Sequence, residues 1–204
     1  MISMSLSDDH ITLFTISTIF WGLIYIACKW KGISFAGAAV SNLHSIPGCI
    51  LAVATIIVND ERILKEFFLV SWTQGYFIID LLYSIGDKDI PFTVHAISSL
   101  GLSILNSTGT LYALNATSKG FLCELSSPFY QRWMKTKKKS HFQQFCFMFF
   151  VFRIVYVPLF LYNCREGITR TVAIGSAAFY VLNLLWFVKG LKMLLNYKEK
   201  PKTE

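Results

Sequence analysis

The stretch FFVFRIVYVPLF, residues 149–160, is apolar except for Arg153, and Pro158 follows a turn and a half later. A guanidinium keeps its charge in any protein environment. Near the centre of a bilayer such a charge costs ~2.5–3.5 kcal/mol even on lenient insertion scales. A chain that keeps Arg153 there must turn it inward, toward an acid or a polar cavity. Pro158 lacks an N–H, so it leaves the carbonyl of Ile154 without its helical partner and predicts a kink.

The rest of the chain has the same character. Of 204 residues, 54% are hydrophobic and only 15% charged. Apolar runs recur at 11–30, 36–58, 67–85, 92–114, 118–131, 143–163 and 171–195. Most approach the ~20 residues a helix needs to cross a bilayer. Open sheets cannot satisfy their edges in lipid, and the runs lack the alternation of a membrane β-barrel. The sequence therefore predicts an all-α membrane protein of about seven transmembrane helices. The segment 118–131 is short for a straight crossing, so charge patterning leaves six and seven spans both open.

The charge is +7, and its location matters more than its size. Lys135, Lys137, Lys138 and Lys139 share one loop, and Lys192, Lys198, Lys200 and Lys202 lie in the tail. Between apolar spans, lysine clusters mark cytosolic loops rather than a nucleic-acid surface. The tail ends KPKTE, whose Lys200 and Lys202 have dilysine spacing. That spacing suggests contact with a retrieval coat and residence in the endoplasmic reticulum membrane. Residues 7–10 read SDDH, an acidic flank unlike that of a signal peptide. The five cysteines show no paired spacing, so neither a disulfide framework nor a metal site is expected.

Five ionisable residues stand within the apolar runs: His44, Asp80, His95, Glu124 and Arg153. Their signs suggest pairs, Arg153 with Glu124 or Asp80 and a histidine with a carboxylate. In the fourth run His95, Ser98, Ser99, Ser103, Asn106, Ser107 and Thr110 fall on one half of the helical wheel. In the third, Thr73, Tyr76, Asp80, Tyr83 and Ser84 form a stripe. Small polar residues also serve helix packing, so the stripes alone do not define a site. Asp80 and His95 both lie toward the cytosolic side of a seven-span arrangement, which predicts a polar cavity opening there.

The segment ELSSPFYQRW at 124–133, with SNLHS around His44, YFIIDL at 76–81, FRIVYVP at 152–158 and NLLWFVKG at 183–190, resembles the TLC (TRAM–Lag–CLN) domain family. The likeness covers roughly residues 35–195. It implies one additional N-terminal helix within 1–34, a bundle of six helices around a central tunnel, and a cytosolic tail from 196 to 204. It also implies lipid-related work in an endoplasmic-reticulum-type membrane. The ceramide synthases, its enzymatic members, carry paired histidines where this chain has Val94–His95, and a later acidic motif where Glu124 stands instead.

Three functions compete. The first is lipid homeostasis, with His44, Asn106, Glu124 and Arg153 lining a cavity for a phospholipid or acyl chain. The second is an acyltransferase using acyl-CoA as co-substrate, with His95 as base or acyl acceptor oriented by Asp80. The third is a cargo or interaction protein. No cofactor, phosphate loop or serine-nucleophile motif accompanies them.

Overall fold

A computed structural model describes residues 8–31, 36–58, 66–107 and 114–197. Thr110 and the tail lysines Lys198, Lys200 and Lys202 lie outside the described residues. All regular structure within them is helical: α1 Asp8–Trp30, α2 Ala36–Val58, α3 Glu66–Gly86, α4 Ile90–Asn106, α5 Ala116–Phe121, α6 Ser127–Thr136, α7 Lys139–Phe149, α8 Tyr156–Asn163 and α9 Arg170–Leu195. A 3-10 segment, Leu122–Ser126, joins α5 to α6, and a π-helical segment, Phe150–Val155, joins α7 to α8. Among the described residues, four helical runs are long and apolar enough to cross a membrane: His10–Trp30, Ala39–Val58, Lys139–Asn163 and Arg170–Leu195.

The outer surface supports that reading. Leu23 is 62% exposed, Ile57 76% and Leu185 63%, while Trp21 at the centre of α1 is fully buried. A soluble monomer does not leave large aliphatic side chains uncovered along its whole length. Lipid is the solvent such a surface suits.

The helices pack in a definite order. α1 lies along α3, α3 pairs with α4, α4 with α9, and α9 with α7, while α6 and α7 form a hairpin. α2 closes the set against α1, α3, α5 and α6. The α3–α4 turn is tight. Lys88 takes a left-handed backbone, and the Asp89 side chain caps α4 by accepting from the Phe92 N–H at 3.2 Å. The α6–α7 turn places Lys137 in the same conformation, and its carbonyl accepts from the Tyr197 hydroxyl at 2.6 Å.

α1 packs closely on α3. Its Ser17 hydroxyl and Trp21 indole both donate to the Trp72 carbonyl of α3, at 3.1 and 3.2 Å. Opposite them stands Gly75, where any Cβ would lie 2.6 Å from the Thr18 backbone nitrogen. The close approach of the two helices depends on that glycine. Nearer the start of α1, buried His10 Nε2 meets Gln74 Oε1 at 3.1 Å.

The fifth apolar segment is longer than hydropathy suggested. Helical structure runs unbroken from Ala116 to Thr136 through the 3-10 segment. Its polar entry, ATSKG, hides the beginning from a hydropathy count. Buried Glu66, at the start of α3, supplies the explanation. Its carboxylate accepts from the Ser118 N–H at 3.1 Å and also from the Thr117 N–H and the Ser118 hydroxyl. The first N–H groups of α5 have no helical acceptor. Glu66 provides one inside the fold.

Candidate functional site

The π-helical segment answers the question that Arg153 raises. Arg153 is 4% exposed, and its guanidinium meets Glu124 Oε1 at 2.8 Å. Arg153 Nε donates to the Ser126 hydroxyl at 3.0 Å, and its Nη2 also reaches the Ser127 hydroxyl at 3.4 Å. Ser127 in turn donates to Glu124 Oε2 at 2.6 Å. The Phe149 ring lies 5.5 Å from the guanidinium carbon. The ELSS segment is thus a socket for one arginine. The 3-10 winding brings Glu124, Ser126 and Ser127 to one side, where an α-helix would spread them. The π winding opposite supplies the matching displacement.

Pro158 acts as its chemistry requires. The Ile154 carbonyl that it leaves free accepts from the Tyr180 hydroxyl of α9 at 3.0 Å. Tyr180→Phe should therefore destabilise the protein by about 1 kcal/mol, read as a lowered midpoint in thermal unfolding.

A cavity of about 110 Å³ lies between α3, α4, α5, α8 and α9, with the 3-10 segment at its inner end. Apolar lining such as Leu102, Phe160 and Val172 alternates with Thr73, Ser103 and Asn106. Glu124 reaches its wall, so the ion pair borders the cavity. Thr73 Oγ1 and Ser103 Oγ are buried there without a hydrogen-bond partner among the described residues. Each such orphan costs about 1–3 kcal/mol unless a water or ligand satisfies it.

The cavity occupies the end of the bundle where α4 stops, α5 starts, α8 stops and α9 starts. This is opposite to the end the sequence suggested. Asp80 and His95 lie within two turns of the α3–α4 connection, and neither lines the cavity. Nor are they partners. Among the described residues no hydrogen bond or ion pair joins them. Asp80 instead faces the Tyr76 hydroxyl, one turn back on its own helix, at a long 3.5 Å. His95 points across to α9, into a box formed by Phe77, Phe179 and Trp186, with ring centroids 6.1, 5.7 and 5.5 Å away. Asp80 and His95 are thus not a pair: one turns to Tyr76 of its own helix and the other to the rings of α3 and α9.

His44 is separate from both features. It is buried and stacks face to face on Tyr76 at 3.7 Å, with Trp21, Phe77 and Phe121 edge-on around it. Its Nε2 has no partner. Of the residues anticipated as ligand contacts, Asn106 and Glu124 reach the cavity, Arg153 stands behind Glu124, and His44 does not reach it. Two residues went unnoticed in the sequence. Glu66 sat at the edge of a span, and Asn183 is an uncharged side chain within a long apolar helix. Asn183 is fully buried, with neither its carbonyl nor its amide group bonded.

Among the described residues, no cluster of histidine, cysteine or acidic side chains has the geometry to hold a metal. Comparison with protein-family models, with curated proteins and with solved structures finds no match.

Proposed function

We propose that this chain is a multi-pass membrane protein of lipid homeostasis that holds one acyl chain in the cavity beside the Glu124–Arg153 pair. The observation that carries the reading is the cavity itself, mostly apolar yet edged by unpartnered hydroxyls. Its volume is well below the 300–1,000 Å³ of a typical ligand pocket. It suits part of one chain better than a whole phospholipid. The wider proposal includes seven crossings, six of them around a central tunnel as in TLC domains. It also places the N-terminus in the lumen of the endoplasmic reticulum and the tail, with Lys200 and Lys202, before a cytosolic retrieval coat.

Mass spectrometry of lipids retained on the protein in mild detergent tests the function. A single non-covalent lipid class is expected on the wild type. Ser103→Phe fills the cavity and should remove it. An unchanged lipid complement on that variant would overturn the assignment.

The acyltransferase reading keeps one support, the buried and unpartnered Nδ1 of His95. It lacks the carboxylate that would orient the ring. An acyl adduct on His95 in the same spectra would favour transfer from acyl-CoA. A cargo or docking role gives the polar interior no part to play.

A further inference from the structure

The α9 face that meets α4 carries Phe179, Asn183 and Trp186, at spacings of four and three residues that keep one helix face. Both aromatic rings lie against His95 of α4. Asn183 stands between these two residues on the α9 face that His95 meets, and the Phe77 and Phe179 rings that line the cavity also lie against His95. Both polar side chains are more than nine-tenths buried. Among the described residues, both carry unpartnered atoms, Nδ1 of His95 and both Oδ1 and Nδ2 of Asn183. A carboxamide offers a donor and an acceptor together, and an imidazole nitrogen offers one or the other.

We infer that His95 and Asn183 form a recognition site for an uncharged, hydroxyl-bearing lipid head, reached from the acyl cavity past Phe77 and Phe179. This rests on the lipid-holding reading and names the class of lipid. The charge around the site decides against an anionic head. Glu124 is the charged residue on the cavity wall. The nearby guanidinium of Arg153 already meets Glu124, Ser126 and Ser127. A phosphate or carboxylate would meet a like charge and no free cation. A hydroxyl both donates and accepts, and so matches a carboxamide beside an imidazole.

Photolabelling of the full chain in detergent tests the site with three diazirine probes of equal chain length: a fatty alcohol, a fatty acid and a plain alkane. Peptide mass spectrometry reads the labelled segments. The alcohol should label the cavity-lining segments 99–106 and 172–179 at concentrations at least ten-fold below those needed by the acid or the alkane. Asn183→Leu should abolish that ten-fold advantage and leave alkane labelling unchanged. The variant should melt no lower than the wild type, because it removes a polar group that none of the described residues satisfies. Persistence of the alcohol preference in Asn183→Leu would overturn the inference, as would stronger labelling by the acid. A lowered melting point without added lipid would show that the carboxamide already has a partner in the protein, and would also overturn it. If alkane and alcohol both label the cavity without distinction, head recognition falls and chain binding stands. If no probe labels the cavity, the lipid-holding reading falls as well.

Discussion

Arg153→Leu should destabilise the protein by about 3–5 kcal/mol, the cost of leaving a buried carboxylate without its cation. Leucine keeps much of the volume, so the loss is electrostatic rather than a cavity effect. Glu124 would keep only the Ser127 hydroxyl, and Ser126 would lose the Nε–H it accepts. Glu124→Gln added to Arg153→Leu should recover part of the loss, because residues in one network do not act additively. Thermal unfolding of the two single variants and the double variant in the same detergent measures the coupling. Strict additivity would show that the 2.8 Å contact contributes nothing to the fold.

The second large effect lies at the crossing of α1 and α3. Gly75→Val should cost at least about 3 kcal/mol, the upper part of the range for overpacking. A Cβ there would collide with the Ser17 hydroxyl and sit 2.6 Å from the Thr18 nitrogen and 2.7 Å from the Ser17 carbonyl carbon. Two of those atoms are backbone and cannot turn aside, so the helices must part. Parting them also removes the bonds from Ser17 and Trp21 to the Trp72 carbonyl. Gly86→Val, at the end of the same helix, meets nothing within 4 Å and is the matched control. The expected readout is loss of monodisperse protein for the first and wild-type behaviour for the second. Equal yields would show that α1 is not anchored through this contact.

Much of the helical layout was legible because apolar length is a direct signal. The expected runs 36–58 and 67–85 coincide closely with α2 and α3. The partnership of Arg153 with Glu124 was one of two options, because a buried cation needs an acid and the chain offers few. The freed Ile154 carbonyl followed from the missing N–H of Pro158, but the donor, Tyr180, lies on a helix whose rotation no local pattern fixes. The same limit explains His95 and Asp80. A helical wheel groups residues on a face without saying which neighbour that face meets. The start of the fifth segment was hidden because Glu66, far away in sequence, completes the backbone bonding of ATSKG. Asn183 escaped notice because an uncharged amide hardly disturbs hydropathy, although its burial is complete.

The π-helical segment also has a consequence for how this sequence can change in length. Deleting a residue from an α-helix rotates everything beyond it by about 100° and turns core positions toward lipid. A π segment already holds a surplus residue relative to an α-helix over the same turn. Loss of one residue between 150 and 155 can therefore be absorbed locally, by rewinding to α, while α7 and α8 keep their faces. The casualty would be the aim of Arg153 into its socket. A lineage shorter by one residue here would keep the bundle yet have little use for Glu124, so the deletion and the loss of that acid should travel together.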